Sequence, residues 1–199
     1  MAAVLGYSGA GKTTLLNLIA GLEKPSSGQI TVLGLDLPGS DENELSVFRC
    51  HNIGFIFQSY NLVSSLTAQE NVELMMELAG WGDYERNEKL ASQLIGEVGL
   101  ADRGDHLPSQ LSGGEQQRVA IARSMANDPP LVLADEPTGN LDTKTGLEIV
   151  QLLAKLKKER GKTVIISTHD ERIVQMADVI YRLDKGKLVG IDRPTRIRD

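Results

Sequence analysis

Cysteine is almost absent from this chain of 199 residues, with Cys50 the only one. That excludes an internal disulfide and a multi-cysteine metal site, and it suits a reducing cytosol. Aromatic residues make up only 4%. The 21 Lys and Arg are outnumbered by 27 Asp and Glu, for a net charge of −6. An acidic balance argues against a non-specific nucleic-acid binder, so no nucleic-acid partner is expected, and against direct docking on anionic lipid. No apolar run approaches the ~18 residues that a membrane-spanning helix needs. No secretory leader is expected ahead of the first strand. Any membrane role would therefore come through a partner. The 41% hydrophobic content suits an ordinary core, and the length fits one domain, with room for an inserted subdomain.

The chain is organised around Gly6-Tyr7-Ser8-Gly9-Ala10-Gly11-Lys12-Thr13-Thr14, which reads G-x-x-x-x-G-K-T. Glycines let the backbone curl into a nest of inward-pointing N–H groups, which suits an anion. The apolar run Leu15–Ala20 after it predicts a helix whose positive N-terminus faces the same anion. Ala2–Leu5 before it reads as a short buried strand. Strand, glycine loop and helix is the context in which Lys12 reaches the β- and γ-phosphates and Thr13 holds Mg²⁺.

Downstream, the first helix is expected from Lys12 to Ala20, a strand over Gln29–Leu33, and a short helix over Glu44–Cys50. Ile53–Phe57 is a buried-strand pattern ending at Gln58, and a polar residue at the carboxyl end of a strand sits where α/β sheets bind ligands. Residues 60–126 then turn helical. Thr67 and Glu70 form a capping box ahead of Val72, Met75, Met76 and Ala79, and the paired methionines read as core filling. Asp83 opens another helix that Gly99 stops.

Leu111–Arg118 reads LSGGEQQR. Ser112 and Glu115 form a capping box, and two glycines behind the cap leave backbone N–H groups open to an anion. Each glycine costs ~1 kcal/mol in a helix, which the cap alone does not explain. Leu131–Ala134 is a buried strand that delivers Asp135 and Glu136 at its carboxyl end, the Walker B pattern, with Asp135 toward Mg²⁺ and Glu136 placed to polarise water. Pro137–Asp142 turns into a helix that Gly161 stops, and Thr163–Ser167 is a strand leading to His169, placed at the site by its position just past the strand end. His51 and His106 have no such context. A short helix over Glu171–Ala177, a hairpin turning at Asp184–Lys187 and a loosely held polar tail of nine residues complete the chain. The expected fold is α/β, a mostly parallel sheet interrupted by a helical block.

Together these motifs resemble the ATP-binding cassette (ABC) family. Gly6–Thr13 is similar to its Walker A loop, Gln58 to its Q-loop, Leu111–Gln117 to its signature, and Leu131–Glu136 to Walker B with the catalytic glutamate. Asn140-Leu141-Asp142 resembles the D-loop and His169 the switch histidine. The wording around Gln58, Leu66–Val72 and Glu136–Asp142 looks most like the lipoprotein-release and macrolide-export ATPases of that family.

The resemblance implies a P-loop NTPase (RecA-like) core over residues 1–59 and 127–199, with an ABC-type helical subdomain over 60–126. It implies an ATPase that powers a separate transmembrane permease on the cytoplasmic face of the membrane. Two copies would pair head to tail, each ATP lying between one Walker A loop and the other copy's signature. Gly6, Ser8, Gly9, Ala10 and Gly11 would then cradle phosphate and Lys12 neutralise it. Thr13 and Gln58 would contact Mg²⁺, Thr14 would support the α-phosphate, and Asp135 would anchor Mg²⁺ through water. Glu136 would be the general base and His169 would position water. Ser112, Gly113 and Gly114 would hold the γ-phosphate in trans, and Asp142 would link the halves.

Family members place a short antiparallel β region, with an adenine-stacking aromatic, before the Walker A strand. Here Met1 lies close before Gly6, so a missing platform, weaker ATP binding and an exposed sheet edge are the expectation for a chain shortened at its N-terminus. Two other readings stand beside the transporter ATPase. One is a non-transport ABC ATPase that controls a cell-wall hydrolase or an assembly step. The other is a fragment with impaired ATP binding.

Overall fold

The computed structural model describes residues 1–194. Strand β1 (Ala2–Leu5) runs into the glycine loop and helix α1 (Lys12–Ile19). A two-stranded hairpin, β2 (Thr31–Val32) and β3 (Leu35–Asp36), follows, then α2 (Glu42–Asn52) and β4 (Ile53–Ile56). Three helices come next: α3 (Ala68–Leu78), α4 (Tyr84–Glu97) and α5 (Gly113–Ser124). The chain closes with β5 (Leu131–Asp135), α6 (Thr143–Arg160), β6 (Thr163–Thr168), α7 (Glu171–Val174), β7 (Val179–Asp184) and β8 (Lys187–Asp192).

The main sheet has the order β4-β5-β6-β1-β7-β8, all parallel except β8. A parallel sheet must be covered on both faces, and β5 shows it: all five residues are buried. Its alternate side chains enter different clusters. Leu131 and Leu133 pack with Val4 and Leu16 under α1, whereas Val132 and Ala134 pack with Ile121, Ile149 and Leu153 beneath α5 and α6. Helices α3, α4 and α5 pack on one another, and α5 also lies on β4.

Several expectations change. The strand expected over Gln29–Leu33 is only Thr31–Val32, and it pairs with β3 outside the main sheet. Leu33 and Gly34 both take positive φ there, the signature of a tight reverse turn. Helix α2 is longer than expected because Asp41 caps it in a box with Glu44. Strand β1 lies between β6 and β7, and the sheet's edges are β4 and β8. Strand β8 reaches Asp192, so Ile191 and Asp192 belong to the hairpin and not to a loose tail; residues 195–199 lie outside the described residues.

Candidate active site

Because β1, β4, β5 and β6 are parallel, their carboxyl ends share one side of the sheet. The loops that leave them are therefore neighbours, though their residues are far apart in sequence. Tyr7, Ser8, Gly9, Gly11, Lys12, Thr13, Thr14, Gln58, Glu136 and His169 line a cleft of about 500 Å³ there.

The loop's shape follows from its glycines. Gly9 has φ 79° and Gly11 has φ 96°, both left-handed, and Gly11 is the N-cap residue of α1. No side chain caps α1, whereas Asp41, Thr67, Asp83, Ser112 and Asp142 cap α2, α3, α4, α5 and α6. The first amides of α1 are thus left for a ligand, and an anion satisfies both them and the helix dipole. Ala10 is buried in the loop and its N–H bonds Tyr7 O at 3.1 Å, which closes the turn. Gly6 sits where a Cβ would lie 2.5 Å from Leu183 O, so the loop's start is pressed against β7.

Lys12 is only 6% exposed. Its ammonium donates to Gly6 O at 2.7 Å and to Tyr7 O at 3.1 Å, and it pairs with Glu136 Oε1 at 3.0 Å. Glu136 Oε2 meets His169 Nδ1 at 2.7 Å. Glu136 itself is a non-glycine residue at φ 44°. Such backbone persists only when its surroundings hold it. Here its N–H donates to Ser167 Oγ at 3.0 Å and to Ser167 O at 3.2 Å. The Ser167 hydroxyl donates in turn to Asp135 Oδ1 at 2.5 Å. Asp135 is buried behind the cleft and does not line it. The backbone at Gln58 is steadied from the other side, since Asn140 Nδ2 donates to its main-chain carbonyl at 3.0 Å.

Ser112, Gly113, Gly114 and Asp142 lie outside this cleft and form a second cluster where α5 and α6 begin. Asp142 Oδ1 accepts from the N–H groups of Lys144 and Thr145, and the Thr145 hydroxyl donates to Asp142 Oδ2. These bonds, the hydroxyl first, hold the Asp142 carboxyl below its usual range. A Cβ on Gly114 would lie 2.5 Å from Thr145 Cγ2, and one on Gly113 would lie 2.9 Å from the Tyr60 hydroxyl. The two helix starts touch, and the glycines allow it.

Three residues with a place in this arrangement escape sequence reasoning. Ser167 ties Asp135 to Glu136 but reads as one more residue of a buried strand. Tyr7 lines the cleft with its side chain 87% exposed, and its carbonyl places it at the Lys12 ammonium. Arg123 donates to Tyr60 O at 2.7 Å and Asn61 O at 2.5 Å, so the far end of α5 grips the segment that follows Gln58. Both gripped residues have positive φ, a backbone state that neither residue type announces in the sequence.

The oxygen set of Thr13, Gln58 and Asp135 has the hard-donor chemistry that Mg²⁺ takes. Among the described residues no three His, Cys, Asp or Glu side chains group as metal ligands.

A second, larger groove of about 620 Å³ runs between α2 with β4 and α3 with α5. Phe55 and Phe57 stack at its floor with ring centroids 4.3 Å apart. Leu22, Val47 and Leu78 line it and are exposed, the last two 61% and 66%.

A family model described as ABC transporter matches residues 1–139. An ABC transporter ATP-binding protein of Thermotoga maritima is 50% identical over 190 residues, covering 96% of this chain and 80% of its own length. The macrolide export ATP-binding/permease protein MacB of an Azoarcus species is 44% identical over 194 residues, which cover 98% of this chain but 29% of MacB. Among solved structures, the dimeric post-hydrolysis state of the ATP-binding cassette MJ0796, bound to ADP and Pi, superposes with a TM-score of 0.90 at 42% identity, covering 97% of this chain and 84% of that one.

Proposed function

The chain belongs to the ABC transporter family, and we propose that the cleft around Lys12 is one half of its ATPase site, completed by a second copy. The chain is the ATP-binding and ATP-hydrolysing subunit of a transporter, and it works as a dimer with a membrane permease. One observation carries the site assignment. The uncapped start of α1, Lys12, Glu136, His169 and Gln58 converge on one cleft, while the glycine-rich start of α5 lies apart from it.

Gly6, Ser8, Gly9, Ala10 and Gly11 present the backbone nest, and Lys12 neutralises the β- and γ-phosphates. Thr14 supports the α-phosphate. Thr13, Gln58 and, through water, Asp135 would hold Mg²⁺, which when bound neutralises charge on the phosphate oxygens. Glu136 accepts a proton from the attacking water. The water oxygen bonds to the γ-phosphorus, the bond to the β-phosphate oxygen breaks, and ADP and phosphate leave. His169 holds Glu136 and the water in line. Ser112, Gly113 and Gly114 of each copy bind the other copy's γ-phosphate, and Asp142 joins the halves. Residues 1–59 and 127–199 act as the core and 60–126 as the arm that carries the signature.

The apolar groove is the seat for the permease. Exposed leucine and valine over a stacked phenylalanine floor mark a protein contact. Phe57 adjoins Gln58, so the groove and the cleft share one segment. No helix among the described residues is long and apolar enough to cross a membrane, so membrane association runs through that partner. The named relatives are transporter proteins, which supports transport over control of a cell-wall hydrolase.

Subunit mixing tests the composite site. Lys12→Ala and Gly114→Asp each inactivate alone. Mixed, they form one intact site from the Gly114→Asp copy's loop and the Lys12→Ala copy's signature. ATPase activity returns on mixing; a mixture as inactive as either variant overturns the head-to-tail site.

A further inference from the structure

The start of α5 holds a contact that the proposed chemistry does not use. Ser112 Oγ donates to Glu115 Oε2 at 2.7 Å, and the Ser112 N–H donates to the same oxygen at 2.8 Å. Glu115 N–H returns a longer bond to Ser112 Oγ at 3.3 Å. A serine hydroxyl has one proton. Here that proton is committed to a carboxylate, so the hydroxyl donates to a phosphate oxygen only after Glu115 gives it up. The carboxylate also sets a negative charge on the helix N-terminus, in the field an anion would enter. It stays ionised: the Ser112 hydroxyl bond, then the backbone bond and Arg103, hold it below the usual carboxylate range. Arg103 Nε stands 3.5 Å from the other oxygen, Oε1, and is half exposed.

We propose that Glu115 is a positioning residue that sets the strength of the ATP-bound dimer: it holds the Ser112 hydroxyl until the second copy's γ-phosphate displaces it, and Arg103 receives the displaced carboxylate. The proposal rests on the reading that Ser112 meets phosphate in trans. Each ATP site then exchanges one hydroxyl–carboxylate bond for a hydroxyl–phosphate bond. The exchange carries a charge penalty at both sites of the dimer, and it restrains closure in the absence of a triphosphate.

Three variants in the full chain, each in a Glu136→Gln background that prevents hydrolysis, separate the possibilities. Sedimentation velocity with ATP and Mg²⁺ gives the dimer dissociation constant. Glu115→Gln keeps the capping box, which Gln also forms, and removes the charge. Its dimer should be roughly tenfold tighter, an advantage that shrinks with added salt because it is electrostatic. Arg103→Ala, which leaves the displaced carboxylate without a cation, should weaken the dimer. Ser112→Ala should weaken it as well. An unchanged or weaker Glu115→Gln dimer, with Ser112→Ala weakened and the unfolding midpoint intact, overturns the role of Glu115 alone. A Ser112→Ala dimer of full strength overturns the trans-phosphate reading and this proposal with it.

Discussion

The Lys12 ammonium lies 3.0 Å from Glu136 Oε1, so the cation assigned to phosphate and the carboxylate assigned to water are each other's partners. Lys12 has three protons, and Gly6 O, Tyr7 O and Glu136 take them all. In the proposed site a γ-phosphate on Lys12 would replace Glu136 and free the base that hydrolysis needs, while the two backbone carbonyls keep the ammonium aimed.

Lys12→Ala removes this cation from a nearly buried position. A hydrogen bond to a charged group is worth ~1.5–3 kcal/mol, so ATP affinity should fall about ten- to a hundredfold. Equilibrium titration with a fluorescent ATP analogue measures it. Unchanged affinity would remove Lys12 from the phosphate site.

Ser167 bonds Asp135 and Glu136 together from a position with no exposure. Ser167→Ala leaves a buried carboxylate short of a donor, at a cost of ~1–3 kcal/mol. Urea unfolding should report that loss. The Mg²⁺ concentration for half-maximal ATPase should rise in the same variant, since Asp135 is no longer held. A variant with wild-type stability and metal dependence would show that Ser167 is only filling.

Gly114→Ala tests why two glycines open α5. The added Cβ meets Thr145 Cγ2 at 2.5 Å, an overpacking of the kind that costs ~1–3 kcal/mol. It should slow ATPase by shifting the signature helix against α6. Thr145→Ser deletes that methyl and keeps the hydroxyl that bonds Asp142. The double variant should regain activity lost by Gly114→Ala. No rescue would mean that the glycine serves the ligand alone.

Asp178 supplies a pH dependence far from the site. Lys157 donates to Oδ2 at 2.6 Å, and the Met1 ammonium contacts the same oxygen. The lysine bond first, then the amine, bring the Asp178 pKa down to about 2. A folded value below the unfolded one, ~3.9, stabilises the fold above pH ~4, and that contribution is lost as pH falls toward 2. Thermal unfolding followed through this window should show Asp178→Asn losing less stability than the parent chain. Parallel curves would remove Asp178 from the acid response.

The sequence was most legible where chemistry needs particular residue types at fixed spacing. The glycine loop, the carboxylates after β5 and the capped start of α5 can be named because few other arrangements explain Gly11-Lys12-Thr13 or Asp135-Glu136. Parallel strands were legible for a similar reason, since β5 and β6 carry the continuous apolar stretches Leu131–Ala134 and Val164–Ile166. What stayed hidden depends on contacts between distant segments. Strand β2 shares the residue types of the longer strands, but its fate was decided by the turn at Leu33–Gly34. Gly113 and Gly114 looked like openings for an anion; Tyr60 and Thr145, which come within a would-be Cβ's reach, give them a packing reason as well. Lys12's bond to Glu136 joins two motifs that sequence reading treats separately.

The central claim is that Glu136 is the base of an ATP site shared between two copies. The most direct test is sedimentation of Glu136→Gln with ATP and Mg²⁺, with phosphate release followed in parallel. Loss of the base should slow hydrolysis by about 10²- to 10⁴-fold, and the protein should sediment as a dimer that retains uncleaved ATP. Hydrolysis at the parent rate, or a monomer that holds ATP without pairing, would contradict it.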